Sequence, residues 1–250
     1  LVDGMNGGYQ GMGVSGYVPE VGNSQEVVFT LSGGLGEATT GGPQMNIVPK
    51  QGGNTFAGSF FVSGTGDPLQ GTNLTPELEA QGLIATNSIK QLWDVNPAFG
   101  GPILKDKLWF YGTFRYQNSR QNVASMWVNA NAGDGTKWTY DPVLAEQAVA
   151  DGTWKNGSAR ITWQATPRNK ISAWSSVQYS CLNCIEGGDG TGLGFGALIS
   201  SPEGTATNEN HPSMLTQLSW SSPYTNRLLF DANAQLGPYF WWGSRQKNAF

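Results

Sequence analysis

Charge is scarce in this chain. Asp, Glu, Lys and Arg make up 13% of its 250 residues, about half of the ~25% that is typical of soluble domains. The net charge is -4 at pH 7 and the sequence pI is about 5.0, so the chain offers no basic surface for nucleic acid. We therefore expect no nucleic-acid partner.

Long apolar runs, histidine and cysteine are scarce as well. No apolar stretch approaches the ~20 residues of a membrane-spanning helix. His211 is the one histidine, and Cys181 and Cys184 are the only cysteines. No Ser-His-Asp arrangement, phosphate-binding loop or HExxH motif occurs. We predict that the chain is not an enzyme, holds no metal and needs no cofactor.

Aromatic residues and glycine, by contrast, are abundant. Aromatics reach 12% of the chain, with 10 tryptophans, and there are 35 glycines. A membrane protein without spanning helices can still be a β-barrel, because only every second residue of its strands must face lipid. The mean hydropathy of -0.32 fits such strands, since the residues between the lipid-facing ones are polar.

The spacing of the strands and their connections favours a barrel. About seven strands follow residue 55, and they are predicted at about 56–64, 88–103, 107–119, 156–166, 170–180, 213–222 and 226–237. Tight turns near 105, 168 and 224 alternate with long connections at about 65–87, 120–155 and 181–212. Outer-membrane barrels have this asymmetry of short periplasmic turns and longer extracellular loops. We predict an all-β fold, an incomplete antiparallel transmembrane β-barrel segment; the alternative is a half-buried antiparallel sheet of a soluble protein.

Side chains alternate in polarity along several of these strands. In the third strand Leu108, Phe110 and Phe114 share one face, while Trp109 and Arg115 share the other. A barrel strand points its apolar side chains toward lipid and its polar ones into the lumen. The candidates for lining the lumen are Arg115, Arg160, Thr162, Gln164, Asp231 and Asn233. The candidates for aromatic side chains at the membrane interface are Trp93, Trp109, Tyr111, Trp163 and Trp220.

Two of the long connections carry brief helix signals. One begins at Thr75-Pro76 and ends near Gly82, and the other begins at Asp141-Pro142 and ends at Gly152. Each places a capping side chain before a proline and a glycine at the end. We predict a short helix in each connection.

The two cysteines lie close together at the end of the fifth strand. In the oxidising exterior of a cell, Cys181 and Cys184 favour a local disulfide. A redox motif would require a helix to begin there, and a metal site would need two further ligands. A calcium site formed by Glu186 with Asp189-Gly190-Thr191-Gly192 is a further alternative. We prefer the interpretation that these residues form an ordinary solvated loop.

Two stretches of sequence resemble a known family. Residues 25–30, 41–42 and 45–59, which end in Gln51-Gly52-Gly53-Asn54-Thr55-Phe56-Ala57-Gly58-Ser59, resemble the end of the plug of TonB-dependent receptors. Residues 96–112 resemble an early barrel hairpin of the Oar-like branch, which often carries a carboxypeptidase-regulatory-like domain ahead of the plug. Residues 156–170 are similar to the next turn of that branch.

This resemblance implies a division of the chain and its location. Residues 1–55 would be the C-terminal part of a plug domain, and residues 56–250 the N-terminal part of a barrel in the bacterial outer membrane. Neither a TonB box nor the N-terminal half of a plug is visible, and the barrels of this family have 22 strands. We therefore expect the chain to be a fragment that cannot close a barrel by itself.

The resemblance also implies a function, TonB-dependent active transport of a siderophore, oligosaccharide or peptide-like substrate. The partners would be the TonB-ExbB-ExbD energising complex, outer-membrane lipid and the substrate. The extracellular connections carry candidates for stacking on a ligand, namely Trp127, Trp138, Tyr140 and Trp154, whose alternative role is to pack the loops together. The alternative function is a non-transporting barrel for surface binding, adhesion or assistance to secretion.

Overall fold

The computed structural model describes residues 1–5, 17–18, 20–22, 24–31, 43–185, 202–204 and 206–245. These residues form ten strands and one short α-helix, α1 (Pro76–Ala80). The strands are β1 (Ser24–Thr30), β2 (Gln44–Pro49), β3 (Ala57–Gly66), β4 (Ser88–Leu104), β5 (Leu108–Asn129), β6 (Pro142–Gln164), β7 (Lys170–Leu182), β8 (Ala206–Thr225), β9 (Leu228–Leu236) and β10 (Tyr239–Arg245). Two single 3₁₀ turns lie at Asp67–Leu69 and Pro202–Gly204.

Strands β3 to β10 form one antiparallel sheet in which each strand from β3 to β8 is a neighbour of the next. Strands β9 and β10 both pair with β8, and Leu236 opposite Thr216 and Tyr239 opposite Ser213 keep one register. The two are therefore a single strand interrupted at Gly237-Pro238, where the proline cannot donate to the ladder. The predicted antiparallel arrangement and its tight turns, at 105–107, 165–169 and 226–227, are confirmed.

The sheet is open at both sides. Among the described residues, β3 pairs only with β4, and β9 and β10 pair only with β8. The expectation that this chain does not close a barrel by itself is confirmed. The unpaired N–H and C=O groups of β3 are a template for another strand.

The helix predicted at 141–152 is wrong. Strand β6 already begins at Pro142, and it pairs with an extended β5 through Trp127 opposite Gln147 and Asn129 opposite Pro142. Pairing with a neighbouring strand overrides the helix propensity of the Ala-Glu-Gln-Ala sequence, which is only a weak preference. The connection predicted at 120–155 consequently shrinks to 130–141.

The helix predicted after Thr75 is confirmed. The Thr75 hydroxyl accepts a hydrogen bond from the Leu78 N–H at 3.4 Å, Pro76 opens the helix, and Gly82 follows it with φ +93°. This left-handed conformation is one that glycine adopts without steric cost. No helix among the described residues is both long and apolar enough to cross a membrane.

The N-terminal residues cover one face of the large sheet. Strands β1 and β2 form a two-stranded antiparallel sheet, and Val2 bridges to Ile47 of β2. A buried cluster joins Val2 and Tyr17 to Trp174 of β7 and Leu215 of β8. We call the sheet face covered by these residues the inner face, and the opposite face the outer face.

Candidate functional site

The two faces of the sheet have the reverse of the polarity expected for a soluble protein. Strand register places a set of buried polar side chains on the inner face: Asn96, Asn156, Thr162, Ser172, Ser176, Gln178, Ser213 and Gln217. The outer face bears exposed apolar side chains, among them Phe114, Ile161, Trp163, Val177 and Leu218. Soluble proteins bury such apolar residues and rarely expose a contiguous apolar surface of this kind.

The residues predicted to line a lumen all lie on the inner face. Register places Arg115, Arg160, Thr162 and Gln164 there in β5 and β6, and Asp231 and Asn233 there in β9. Of the interfacial aromatics, Trp93, Trp163 and Trp220 lie on the outer face. Trp109 and Tyr111 lie on the inner face instead, because they alternate with Phe110 and share the side of Arg115.

Arg160 connects the sheet to two separate parts of the N-terminal residues. Its Nη1 lies 3.0 Å from the Asp3 carboxylate and donates to the Pro49 carbonyl at 3.0 Å, while its Nε donates to the Ser172 hydroxyl at 2.9 Å. Burial raises the pKa of the Asp3 carboxyl, and the charge and hydrogen bond of Arg160 oppose that shift. Among the described residues, Arg160 is therefore the one charged side chain of the sheet that bonds both Asp3 and the end of β2.

Neutral side chains make several further contacts between the sheet and this covering segment, and Lys170 Nζ donates to Gln51 Oε1 at 3.1 Å. The Gln178 amide bonds both backbone groups of Val18, and Gln217 Nε2 donates to the Val2 carbonyl at 2.9 Å. Asn96 Nδ2 donates to Glu20 Oε1 at 2.6 Å. Hydrogen bonds of this kind contribute only about 1 kcal/mol each, since water can replace them. The contact can therefore be broken stepwise.

Tyr17 supplies the aromatic part of this contact. Its ring meets the Trp174 ring edge to face, with centroids 6.2 Å apart. Burial raises the pKa of Tyr17 to about 12, so its hydroxyl stays neutral at physiological pH. Beside it lies a cavity of about 20 Å³ lined by Ile47, Asn156 and Arg160, which is room for about one water molecule. The contact between segment and sheet is therefore polar and incompletely packed.

Another polar cluster lies on the inner face nearer the long connections. Arg115 forms a bidentate pair with Asp94, with the closest atoms 2.6 Å apart. The Arg115 guanidinium also lies 5.0 Å from the centre of the Trp154 ring. Trp154 is therefore part of the sheet rather than of an extracellular connection, which corrects its predicted place.

The four predicted loop aromatics do not form a single site. Trp127 is a buried residue of β5, and its backbone exchanges hydrogen bonds of 3.2 Å with the Tyr140 hydroxyl. Trp138 is 91% exposed in the tip at 130–141. The structure thus brings Trp127 and Tyr140 together and leaves Trp138 apart. The role of these residues in ligand binding stays a prediction.

The Gly-Gly-Asn motif connects residues 50–56 to the first tight turn. Asn54 Oδ1 accepts hydrogen bonds from the Asp106 N–H at 2.9 Å and from Trp109 Nε1 at 2.8 Å. Gly52 packs so closely on β5 that a Cβ there would lie 2.3 Å from the Phe110 carbonyl oxygen. The sequence analysis singled out this stretch only for its resemblance to the end of a plug and missed the contacts of Asn54, because its partners lie more than fifty residues away.

Replacing Gly52 by alanine is expected to destabilise the protein by roughly 1–3 kcal/mol, because the added methyl group collides with backbone that cannot move aside. Gly53→Ala is the matched control, since a Cβ at Gly53 meets nothing within 4 Å. Thermal unfolding of the two variants measures the difference. Equal midpoints would contradict the close packing of Gly52 on β5.

The structure joins Cys181 and Cys184 in a disulfide with the Cα atoms 6.0 Å apart. The Asp151 carboxylate accepts N–H bonds from Cys184 at 3.0 Å and from Ile185 at 3.2 Å, which fixes the chain leaving β7. This disulfide lies at the same end of the sheet as the connections 67–87 and 130–141. The alternation of tight turns and long connections along the sequence predicted this placement. The alternative calcium ligands at 186 and 189–192 lie outside the described residues.

Impermeant maleimides are expected to label Cys181 and Cys184 in intact cells only after mild reduction, because the sulfurs are paired and the end of the sheet with the long connections is predicted to face the cell exterior. The expected signal is a labelled band that appears with reductant. A Cys181→Ser/Cys184→Ser variant is the control and should remain unlabelled throughout. Absence of label after reduction would place this end of the sheet on the periplasmic side and require the topology to be redrawn.

Comparison with known proteins yields two relatives. No protein-family model matches the chain. Over 127 residues it is 35% identical to the TonB-dependent transporter Oar of Myxococcus xanthus, a match that covers 48% of this chain and 12% of the transporter. The crystal structure of the siderophore receptor PirA from Acinetobacter baumannii aligns with 78% of this chain and 23% of that receptor, with a TM-score of 0.45 and 15% identity.

The chain thus matches only a small part of the length of either protein. The resemblance to TonB-dependent receptors that the motifs at 45–59 and 96–112 indicated is confirmed by the sequence match to Oar. The chain resembles TonB-dependent receptors, and its sequence relative Oar is named as a transporter.

Proposed function

We propose that this chain is part of a TonB-dependent transporter in the bacterial outer membrane, with residues 1–55 forming the end of its plug and residues 56–250 the first strands of its barrel. The observation that carries the proposal is the reversed polarity of the sheet, polar where the N-terminal residues cover it and apolar where it is bare. A lipid bilayer is the solvent that stabilises such an outer face. The 35% identity to a TonB-dependent transporter supports the same conclusion.

The contacts of the inner face suit a plug that must move. Arg160, Gln178 and Gln217 hold the covering segment by an ion pair and hydrogen bonds rather than by a broad apolar contact. When the TonB-ExbB-ExbD complex pulls on the plug, water can replace these bonds one at a time, and the apolar surface exposed by displacement is mainly the cluster of Val2 and Tyr17 with Trp174 and Leu215. The polar wall left behind, which includes Arg115, Asp231 and Asn233, suits the passage of a hydrophilic substrate.

The substrate class we propose is a siderophore, oligosaccharide or peptide-like molecule captured by the extracellular connections. Trp138, exposed at the tip of 130–141, and Tyr140 beside Trp127 offer aromatic faces for stacking. Arg115 and Arg160 would then line the path inside.

Uptake in the complete protein tests this proposal. Labelled siderophores, oligosaccharides and peptides are offered to cells with and without the protein, and accumulation is measured with the proton gradient intact and collapsed. If the protein is a transporter, cells should accumulate one class of substrate, and they should do so only with the protein present and the gradient intact. Surface binding that persists without the gradient and gives no accumulation would instead support a non-transporting barrel.

A reversible crosslink makes the test specific to the plug. Asp3→Cys and Arg160→Cys replace an ion pair with 3.0 Å between its atoms, so a short bis-methanethiosulfonate crosslinker, which forms one reducible disulfide with each cysteine and releases a sulfinate each time, can join them. The crosslink should stop accumulation while leaving surface binding, and cleavage should restore it. The single-cysteine variants, treated in the same way, are the controls, and neither the reagent nor its cleavage should change their uptake.

A further inference from the structure

A row of aromatic and cationic side chains crosses the outer face near the long connections. It consists of Trp93, Tyr116, Lys155, Tyr179 and His211, one from each of five neighbouring strands, and we call it the rim cluster. Its rings touch in two pairs, with centroids 4.5 Å apart for Trp93 and Tyr116 and 5.5 Å apart for Tyr179 and His211.

Lys155 stands in the middle of the row. Its Nζ lies 4.7 Å from the centre of the Tyr116 ring and 5.6 Å from that of Tyr179, a pair of cation–π contacts. The lysine is exposed, and no carboxylate in the described part of the chain lies within ion-pair distance of it. Its positive charge is therefore left open toward the outside of the sheet.

The two tyrosine hydroxyls are open as well. Within the ranges that the structure describes, neither Tyr116 nor Tyr179 uses its hydroxyl in a hydrogen bond. Each ring lies against the Lys155 ammonium, so an anion at Lys155 is within reach of two further donors. The acidic residue in this region is Glu209. It lies opposite Cys181 in the register of β7 and β8, nearer the long connections than Tyr179.

The position of the rim cluster matches the border of an apolar band. On the outer face of β6, Lys155 is followed by Gly157, Ala159, Ile161 and Trp163, without a charge. The eight residue-to-residue steps from Lys155 to Trp163 span about 26 Å of strand, which a tilt of ~40° reduces to about 20 Å. Trp163 then marks the other border, so Lys155 lies where a bilayer changes from acyl chains to headgroups.

We propose that the rim cluster binds the phosphate of an anionic lipid in the outer leaflet, with the Lys155 ammonium and the Tyr116 and Tyr179 hydroxyls as donors and the acyl chains along the apolar band. This inference rests on the proposed function, since it requires the outer face to meet a bilayer. The pairing of an ammonium with phosphate is charge-assisted and therefore stronger than a neutral hydrogen bond. Tyr116 and Tyr179 limit where the lysine can point, so the site favours one headgroup position.

Lipid retention by the complete, detergent-purified protein tests the site. Native mass spectrometry compares bisphosphorylated lipid A with its dephosphorylated form, each at equal concentration. We expect the native protein to prefer the phosphorylated lipid at least tenfold. Lys155→Gln should remove that preference, Tyr116→Phe with Tyr179→Phe should reduce it in part, and Lys155→Arg should keep it.

The controls separate the site from general charge and from misfolding. Lys137→Gln removes an exposed lysine that pairs with Asp134 in the tip 130–141, and it should leave the preference unchanged. Inorganic phosphate at high concentration should not displace the lipid, because it lacks the acyl chains. Equal binding of both lipids by the native protein, or an unchanged preference in Lys155→Gln, would overturn the inference. Either result in a protein that assembles normally would leave the proposed function standing.

Discussion

Replacing Ala159 by arginine is expected to prevent the complete protein from assembling in the outer membrane. Ala159 is exposed on the outer face, midway between Lys155 and Trp163. An arginine at the middle of a bilayer costs a barrel about 2–4 kcal/mol, which is a large part of the 5–15 kcal/mol by which proteins are typically stable. Electrophoresis of unheated samples separates the folded, heat-modifiable barrel from the unfolded chain and so measures the assembled fraction. That fraction should fall severalfold.

Ala145→Arg provides a matched control on the same strand. Ala145 is also an exposed alanine of β6, but it lies beyond the rim cluster on the side of the connection 130–141. Arginine there should be harmless because it is in water. If Ala159→Arg assembled as well as Ala145→Arg, the outer face would be facing water, and the reading of this sheet as a membrane wall would be wrong.

Replacing Arg160 by alanine is expected to loosen the plug. The substitution leaves the Asp3 carboxylate part-buried without its cation and removes the bonds to Pro49 and Ser172. Breaking a buried ion pair costs about 3–5 kcal/mol, and the partial exposure of Asp3 lowers this to roughly 2 kcal/mol. We expect residues 1–55 to become protease-sensitive and cells to become more susceptible to a large antibiotic such as vancomycin, which otherwise cannot pass the outer membrane.

Arg168→Ala is the comparison for that experiment. Arg168 lies exposed in the tight turn 165–169, and among the described residues its side chain has no hydrogen bond or ion pair with residues 1–55. Its removal should change neither protease resistance nor antibiotic susceptibility. Similar susceptibility in the two variants would mean that Arg160 does not restrain residues 1–55. Asp3→Asn should have a smaller effect than Arg160→Ala, because the amide remains hydrogen-bonding and leaves no unpaired carboxylate.

Several features of the fold were predictable because they depend on local pattern. Period-two alternation assigned Arg115, Arg160 and Asp231 to one face, because successive side chains of a strand point to opposite sides. The helix after Thr75 was predictable from its cap and proline, whose effects act within one turn. Because tight turns alternate with long connections, counting the strands also placed Cys181 at the end of the sheet where the long connections lie.

Other features depended on partners that a local pattern does not contain. The residues 142–152 have a helical composition, yet they are a strand because β5 supplies the pairing groups. Trp109 and Tyr111 looked like interfacial aromatics, but the register of β5 points them toward the covering segment. The first outcome depends on which strand lies beside which, whereas the second agrees with the alternation that already put Trp109 on the face of Arg115.

The sequence by itself determined that this protein is a sheet with one polar and one apolar face, short turns at one end and long connections at the other. Only the tertiary structure decided what holds the N-terminal residues against that sheet. Arg160 meets Pro49 across 111 residues and Gln178 meets Val18 across 160, and Asn54 fixes the first turn from outside the sheet. Such contacts are made by polar side chains of ordinary type, and folding selects them because each buried donor or acceptor must find a partner among whatever the fold brings near it.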